Sequence, residues 1–311
     1  MRRYTIFLLF FMCIYGYAQQ FEVLPLGVYG GGDESNLSSY LVRDFKNTNY
    51  IACDAGTIRA GLVKAEENGN LSKPPMQFLR ENVKAYFISH SHLDHLSGMI
   101  INSPEDGPKP IYALPPTIKT LKDHYFINAT WSNFANEGEE PILNKYQYKR
   151  MLEGKPYAIA ETDLHLTVFP LSHPVLSSAA WLHNELGYSV LYLGDTGPDS
   201  IEGEGHLKDL WKAVGKDLKK GKLKAILIEV SFTNSQPDNF LFGHLTPKFL
   251  AEELQQLAKF AGKKNLRDFP IVVTHIKPDA DNIVQIKKEL QESNDLQVNY
   301  IFPEQGVPLQ F

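Results

Sequence analysis

The sequence is poor in cysteine and has no excess of positive charge. Only Cys13 and Cys53 occur in 311 residues, and the formal net charge is −5. Cys13 falls in an N-terminal leader described below, so the remaining cysteine has no partner for an internal disulfide. The negative charge argues against broad electrostatic binding to nucleic acid or to an anionic membrane. No internal repeat, low-complexity tract or long polar linker stands out in the sequence.

The first 18 residues have the pattern of a cleavable signal peptide. Arg2 and Arg3 precede an apolar run, and Gly16 and Ala18 stand at the spacing that a signal peptidase reads. The run is shorter than the roughly 20 residues that a membrane span needs. We therefore expect removal of residues 1–18 and a periplasmic or secreted protein without stable membrane association. Loss of two arginines would leave a formal charge of −7.

The mature chain, residues 19–311, is expected to form a single domain. With 43% hydrophobic residues it can bury a sizeable core. Short apolar segments that favour β-strands recur, and each ends on or contains a potential ligand or acid–base side chain. In chain order these side chains are Asp54, His90, His173, Asp195, Glu229 and His275. Their position at strand ends predicts one edge of the fold that holds the active site.

Helical patterns lie between these strands. Apolar residues at spacings of three or four occur over residues 58–65, 207–218 and 283–290. The clearest helix begins after Thr246 as N-cap, has Pro247 at its first position and stops at Gly262. The mixture of strands and helices predicts an α/β or α+β fold with sheets covered by helices.

Residues 115–157 differ from the rest because they are rich in aromatic residues and have weaker strand signals. We predict a helical insertion that could wall a substrate pocket, with His124 and Trp131 as candidate pocket residues. The alternative is that the aromatic side chains of this segment only pack it against the core.

Four potential metal ligands are concentrated in six residues. In an extended segment His90 and His92 point to the same face, and Asp94 and His95 follow in the turn. A zinc site needs three or four nitrogen, oxygen or sulfur ligands, so two sites would need further groups from elsewhere. The strand ends supply three candidates, namely His173, Asp195 and His275.

Five histidines and two aspartates suit two divalent cations that share one carboxylate. Zinc is the first expectation, although manganese and iron accept the same ligands. Two divalent cations, two carboxylates and a bridging hydroxide leave a net charge of about +1, which suits a phosphodiester monoanion.

The order "HSHLDH", followed by a later His, Asp and His, resembles the metallo-β-lactamase superfold. The longer stretch "HSHLDHLSGMIINSP" from His90 to Pro104 resembles the signature of the class II cyclic-nucleotide phosphodiesterases. The segments "LKDHYFINATWSNFANEG", "FPLSHP" and "YLGDTGPDS" are also similar to that family.

The resemblance implies an α+β fold, a four-layer αββα sandwich with metals at one edge of its two sheets. Each ion would have three ligands of its own and would share Asp195. The first set is His90, His92 and His173, and the second is Asp94, His95 and His275. Asp54 matches a position that supports the metal loop by hydrogen bonding.

Departure of a ribose 3′-oxygen is helped by a proton donor. His244 and Glu229 resemble a histidine and glutamate that some phosphodiesterases of this superfold place beside the leaving group. The alternatives are that His244 caps the following helix and that Glu229 is a surface charge on an edge strand. Asp94 is included among the catalytic residues because its replacement by alanine is expected to abolish turnover.

The leading hypothesis is an exported dinuclear hydrolase that opens 3′,5′-cyclic AMP to the 5′-monophosphate, with cyclic GMP as a second candidate substrate. Other phosphodiesterases or hydrolases of the superfold are alternatives, including an RNA-processing enzyme or a β-lactamase, and so is an inactive metal-binding protein. An RNA-processing enzyme would need a basic flexible arm to bind RNA, and this acidic sequence lacks one. The sequence leaves the native metal and the oligomeric state open.

Overall fold

Strands in the computed structural model form two mixed sheets of seven strands each. The structure describes residues 19–311, so the predicted signal peptide lies outside the described residues. The strands of the first sheet are β1 (Phe21–Gly27), β2 (Ser39–Asp44), β3 (Tyr50–Cys53), β4 (Val83–Phe87), β5 (Lys109–Ala113), β6 (Tyr146–Arg150) and β14 (Leu309–Gln310). Those of the second are β7 (Tyr157–Ile159), β8 (Leu164–Leu171), β9 (Ser177–Asn184), β10 (Ser189–Leu193), β11 (Leu223–Glu229), β12 (Pro270–Thr274) and β13 (Asn299–Ile301).

The two sheets have the same internal plan. In the first, with the order β14-β1-β2-β3-β4-β5-β6, pairing is antiparallel up to β3 and parallel from β3 to β6. In the second, with the order β13-β12-β11-β10-β9-β8-β7, pairing is parallel from β13 to β10 and antiparallel from there to β7. Parallel strands deliver the residues after their carboxyl ends to one edge of a sheet. Each sheet can therefore contribute side chains to a shared edge.

The predicted helices are present. The helices are α1 (Arg59–Glu67), α2 (Pro75–Asn82), α3 (Leu93–Asn102), α4 (Pro115–Thr120), α5 (Asp199–Glu202), α6 (His206–Lys219), α7 (Pro247–Ala261) and α8 (Ala280–Glu292). Helix α7 has the expected Thr246, Pro247 and Gly262 at its ends, although the Thr246 side chain makes no capping hydrogen bond. Among residues 19–311, no helix is both long enough and apolar enough to cross a bilayer.

Three buried clusters define the layers. Val23, Phe87 and Leu227 belong to a cluster formed by strands of both sheets, which shows that the sheets face each other. A second cluster joins α1, α2, α3 and α4 to the first sheet, and a third joins α6, α7 and α8 to the second sheet. Neighbouring residues on β1 divide between clusters, with Val23 facing the second sheet and Leu24 facing the helices. The predicted four-layer αββα sandwich is confirmed.

The insertion is helical only in its first part. Helix α4 continues into one π-helical turn, Leu121–Tyr125, and the chain is then irregular as far as β6, which pairs with β5 at the sheet edge. Asn128 and Asn144 have positive φ angles of 58° and 54°, and the Asn133 side chain donates to the Glu137 and Glu139 carbonyls. Asparagine favours such turns over helix, which explains why the helical prediction does not extend through this segment.

Candidate metal centre

The loop between β4 and α3 presents the four clustered ligand candidates. His92 is extended, with φ −72° and ψ 149°, and α3 begins directly after it. Asp94 and His95 lie in the first turn of this helix. Helix α3 packs directly against the backbone of Ala55 and Gly56. A β-carbon at Gly98 would lie only 2.8 Å from the carbonyl oxygens of these two residues. The glycine in "LSGM" therefore allows the helix to hold the ligand loop in place.

The other three candidates arrive from strand ends of the second sheet. His173 follows β8, Asp195 follows β10 and His275 follows β12 directly. The structure brings all seven residues together in two groups whose ligand atoms lie within 4.8 Å of one another. The first group is His90, His92, His173 and Asp195, and the second is Asp94, His95 and His275.

Asp195 lies between the two groups. Its Oδ2 is 3.7 Å from His90 Nε2 and 3.9 Å from His173 Nε2 in the first group. In the second group, its Oδ1 is 3.3 Å from His95 Nε2 and its Oδ2 is 3.2 Å from His275 Nε2. A carboxylate in this position can bridge two cations.

The facing nitrogens fit a metal centre. His95 Nε2 lies 3.1 Å from His275 Nε2, and His173 Nε2 lies 3.2 Å from His92 Nδ1. Nitrogen ligands of one tetrahedral zinc ion are about 3.3 Å apart, given zinc–nitrogen bonds of about 2.0–2.1 Å. His90 Nε2 is buried and makes no hydrogen bond. A buried polar atom without a partner is costly, and a bound cation would supply that partner.

Outer hydrogen bonds leave the Nε2 atom of four imidazoles facing the centre. In each case Nδ1 lies within hydrogen-bonding distance of a polar atom outside the ligand groups. The pairs are His90 with Ser89 Oγ at 3.0 Å, His95 with Asp54 Oδ2 at 2.7 Å, His173 with the Gly243 carbonyl at 2.8 Å and His275 with Ser231 Oγ at 2.9 Å.

Asp54 connects the ligand loop to both sheets. The carboxylate is fully buried and accepts from the Ser89 amide and hydroxyl, both at 2.7 Å. It also accepts from the Tyr192 hydroxyl at 2.6 Å and pairs with His95 Nδ1. The structure thus places Asp54 in the supporting position that the sequence resemblance implies.

The imidazoles of the cluster differ in the direction in which the protein shifts their pKa. Burial lowers the pKa of His90 and His275, and it lowers the pKa of His173 to about 4. Neutral imidazole is the form that binds a metal. Burial opposes protonation of His95 too, but the Asp195 and Asp54 carboxylates outweigh it and raise the pKa of that imidazole. The Asp195 and Asp54 carboxylates thus favour positive charge at His95.

His244 and Glu229 form a buried pair next to the ligand groups. Glu229 is the last residue of β11, a central strand between β10 and β12, and is 1% exposed, so it is not an edge-strand surface charge. Its Oε1 lies 2.8 Å from His244 Nδ1. Burial alone would lower the pKa of His244, but the Glu229 carboxylate outweighs burial and raises it. His244 Nδ1 is also 3.9 Å from Asp195 Oδ2, so His244 could join Asp195 and His275 around a cation.

The two predicted pocket residues, His124 and Trp131, are not brought to this cluster. Trp131 Nε1 donates to Ser103 Oγ at 2.9 Å, beyond the C-terminal end of α3, whereas the ligands lie at its N-terminal end. The His124 side chain is exposed, although the neighbouring Tyr125 hydroxyl donates to the Ser91 carbonyl at 2.9 Å. Trp131 thus packs the insertion onto the core, as the alternative interpretation held.

Sequence reasoning did not identify two residues at the site. Ser231 contacts both Glu229 and His275, and Lys277 lies two residues after His275. The spacing of Ser231 from Glu229 was the available signal, since i and i+2 residues of an extended segment share a face. No such signal pointed to Lys277, because the His275 backbone is not extended and has a positive φ of 58°.

The paired sheets, outer helices and histidine–aspartate cluster define a protein with the metallo-β-lactamase fold. Unliganded yeast PDE1 matches with a TM-score of 0.83 at 23% identity, covering 94% of this chain and all of that one. The metallo-β-lactamase fold protein YhfI from Bacillus subtilis matches with a TM-score of 0.59 at 18% identity, covering 93% of this chain and 99% of that one.

Sequence comparison identifies the family. The model of the class-II cAMP phosphodiesterases matches residues 21–306. A 3′,5′-cyclic-nucleotide phosphodiesterase of Aliivibrio fischeri is 42% identical over 94% of this chain and 93% of its own length. A probable 3′,5′-cyclic-nucleotide phosphodiesterase of Yersinia pestis is 36% identical over 92% of this chain and 88% of its own length. The chain belongs to the class-II cAMP phosphodiesterase family.

Proposed function

We propose that this protein is a metal-dependent hydrolase that opens 3′,5′-cyclic AMP, with cyclic GMP as a second substrate, to the nucleoside 5′-monophosphate. The observation that carries the proposal is the partly buried cluster of five histidines and two aspartates, joined at Asp195. Membership of the family and the names of its curated relatives support the choice of substrate.

We infer two divalent cations, with zinc as the first candidate and manganese or iron as alternatives. The group of His90, His92 and His173 would hold one, the group of Asp94, His95 and His275 would hold the other, and Asp195 would contribute to both. Such ions, when bound, neutralise phosphate charge and make a water molecule more acidic.

The role of His244 in the proposed reaction is to give a proton to the leaving ribose oxygen. Hydrolysis adds the elements of water: a new phosphorus–oxygen bond forms, the bond from phosphorus to O3′ breaks, and O3′ takes a proton. Because Glu229 lies against Nδ1 at 2.8 Å, Nε2 is the nitrogen available to donate. The buried carboxylate favours the protonated imidazole, which suits a general acid near neutral pH.

Lys277 is the cation that we assign to substrate phosphate. A β-carbon built on Gly31 would lie 4.0 Å from Lys277 Nζ and 3.9 Å from Asp94 Oδ2, so the ammonium group borders the ligand cluster. Within residues 19–311, no carboxylate forms an ion pair with it. An unpaired lysine beside the cluster favours an anionic substrate.

Reconstitution tests this function. Protein loaded with zinc or manganese, verified at two equivalents, is assayed with cyclic AMP and cyclic GMP, and chromatography separates the 5′- and 3′-monophosphates. We expect the 5′ product. Absence of turnover with both nucleotides would refute the proposal, and hydrolysis of a chromogenic cephalosporin by the same sample would favour a β-lactamase instead.

We also propose that the protein is exported after loss of residues 1–18. The basic start and apolar run support this, and β1 begins soon afterwards, at Phe21. Expression of the full chain in its host, followed by fractionation and N-terminal sequencing, is expected to give a periplasmic or secreted protein that starts at Gln19. A cytoplasmic protein that retains Met1 would contradict the proposal.

A further inference from the structure

The Ser231 hydroxyl lies between the candidate proton donor and a candidate metal ligand. It is fully buried in the loop that follows β11. Its Oγ is 2.8 Å from Glu229 Oε2, 2.9 Å from His275 Nδ1 and 3.2 Å from His244 Nδ1. The His275 carbonyl oxygen is a further neighbour at 3.2 Å.

The chemistry of these neighbours fixes the direction of the hydrogen bonds. A serine hydroxyl has one hydrogen and two lone pairs, whereas an ionised carboxylate can only accept. Within the part of the chain that the structure describes, Ser231 is the donor that reaches Glu229 Oε2, since Thr196 N and His244 Nδ1 approach Oε1. Bonds to a charged acceptor are the stronger ones. Ser231 therefore donates its hydroxyl hydrogen to Glu229 and accepts hydrogen bonds from the two imidazoles.

This direction determines which nitrogen of each histidine carries hydrogen. His275 must carry it on Nδ1 to donate to Ser231, which leaves a lone pair on Nε2. That Nε2 atom lies 3.2 Å from both Asp94 Oδ2 and Asp195 Oδ2, in the centre of the ligand cluster. His244 must also carry hydrogen on Nδ1, because both Glu229 Oε1 and Ser231 Oγ accept there.

The His275 ring is confined from the other side as well. A β-carbon at Gly30 would lie 2.3 Å from its Cε1 and Nδ1 atoms, so only glycine allows the ring to occupy this position. The His275 backbone has a positive φ of 58° and its amide donates to the Val28 carbonyl at 2.9 Å. With the backbone and one ring face fixed, the hydrogen bond to Ser231 sets the remaining orientation of the imidazole.

We propose that Ser231 is a positioning residue that couples the proton donor His244 to the metal ligand His275. Because Ser231 donates its hydroxyl hydrogen to Glu229, it accepts hydrogen bonds from Nδ1 of both imidazoles and so fixes their orientation. The role of His244 as donor rests on the proposed function, whereas the effect on His275 requires only metal binding. The coupling implies that the buried Glu229 carboxylate orients both the metal ligand His275 and the proton donor His244.

Measurement of zinc affinity tests the proposed effect of Ser231 on the metal ligand His275. In Ser231→Ala the His275 Nδ1 hydrogen loses its acceptor, and loss of such a partner typically costs about 10- to 100-fold in metal affinity. Competition with a chromophoric chelator is expected to show this loss for one of two zinc equivalents. Ser231→Thr, which keeps the hydroxyl, is expected to restore the affinity. Ser103→Ala, a buried serine at the far end of α3, is the matched control.

Unchanged affinity for both zinc equivalents in Ser231→Ala would overturn the proposal. If this variant does not fold, the nitrogen spectra of wild-type protein test the same hydrogen-bond direction without a substitution. Correlation of ring protons with nitrogens in zinc-loaded, ¹⁵N-histidine-labelled wild-type protein is expected to show hydrogen on Nδ1 of His275 and His244. Hydrogen on Nε2 of His275 would also overturn it.

Kinetics separate this proposal from the proposed function. The losses in kcat caused by Ser231→Ala and Glu229→Gln are expected to be less than additive, because both act through one hydrogen-bonded chain. If wild-type protein does not hydrolyse cyclic AMP but Ser231→Ala loses zinc affinity, the proposed function fails and the coupling stands. If hydrolysis occurs and the variant keeps wild-type zinc affinity, the coupling fails and the function stands.

Discussion

Asp54 Oδ2 lies 2.7 Å from His95 Nδ1, although the two residues are separated by 41 positions in the chain. The contact joins the end of the first sheet's β3 segment to the first turn of α3, and it turns His95 Nε2 towards the ligand cluster. The same carboxylate holds the Ser89 amide and hydroxyl, so it orients the whole ligand loop.

Asp54→Asn is therefore expected to weaken metal binding without removing a ligand. The amide has one acceptor oxygen where the carboxylate has two, so it cannot satisfy Ser89, His95 and Tyr192 together. We expect about 10- to 100-fold weaker zinc affinity, measured by chelator competition. Asp44→Asn alters a buried aspartate at the end of β2 and is the control. Equal losses in the two variants would contradict a specific role for Asp54.

Asp94→Ala is expected to abolish turnover and to leave a folded protein. Asp94 is partly exposed and its Oδ2 lies 3.2 Å from His275 Nε2, so its loss removes a ligand without opening the core. Burial would raise the pKa of Asp94, but the neighbouring His275 and His95 imidazoles outweigh burial and lower it, which keeps the carboxylate ionised. Metal content, circular dichroism and cyclic AMP hydrolysis are the measurements. Asp123→Ala on the insertion is the control, and full activity of Asp94→Ala would refute the proposed ligand set.

His244→Gln is expected to separate catalysis from metal binding. Loss of a general acid typically reduces the rate about 10²- to 10⁴-fold. The defect should be much smaller with bis(4-nitrophenyl) phosphate, whose leaving group needs no proton. Zinc content should remain at two equivalents. His165→Gln, an exposed histidine on β8, is the control. Loss of one zinc equivalent in His244→Gln would instead assign His244 as a ligand.

Lys277→Met is expected to raise the KM for cyclic AMP more than it lowers kcat. The variant removes a positive charge beside the cluster, and attraction of an anion to an exposed charge weakens as salt rises. The difference in KM between wild type and variant should therefore shrink between low and high ionic strength. Lys287→Met, on the exposed face of α8, is the control. An unchanged KM at low salt would contradict the assignment of Lys277 to phosphate.

Glu22→Gln is expected to reduce stability in a pH-dependent way. Burial would raise the pKa of Glu22, but hydrogen bonds from Arg43 and Tyr50 outweigh burial and lower it. Because the pKa of Glu22 is lower in the folded state than in the unfolded state, the ionised carboxylate stabilises the fold at pH values above its unfolded-state pKa. This contribution is lost as the pH falls through the folded-state pKa. Hydrogen bonds to charged groups contribute about 1.5–3 kcal/mol.

Urea midpoints of Glu22→Gln should accordingly lie below those of wild type by a constant amount from pH 8 to about pH 5, and the gap should narrow at lower pH. Glu67→Gln removes an exposed carboxylate of α1 that pairs with Lys64, and it should change the midpoint little. A gap that widens on acidification would contradict the assigned sign.

The sequence alone was sufficient to predict a mixture of strands and helices and the positions of α1, α6, α7 and α8. Alternating and helical apolar periods depend on neighbouring residues, so segments such as residues 207–218 can be recognised locally. The turn chemistry of the insertion was harder to predict, because Asn128, Asn133 and Asn144 favour turns only where their side chains or backbone find particular partners. This is why the helical expectation for residues 115–157 covered more than the helix that forms.

The sequence by itself determined which side chains could bind a cation, because His90, His92, Asp94 and His95 occur in a single short loop. Their grouping with Asp195 and His275 was implied only by the family resemblance, and the tertiary structure brings these residues together. The position of Ser231 beside Glu229 and His275 was found only in the tertiary structure. The physical reason is that hydrogen-bond direction and ligand grouping depend on distances of about 3 Å between atoms of residues that lie up to 181 positions apart in the chain, as Asp94 and His275 do. Parallel strands that end at one edge create those distances, and no local pattern in the sequence records them.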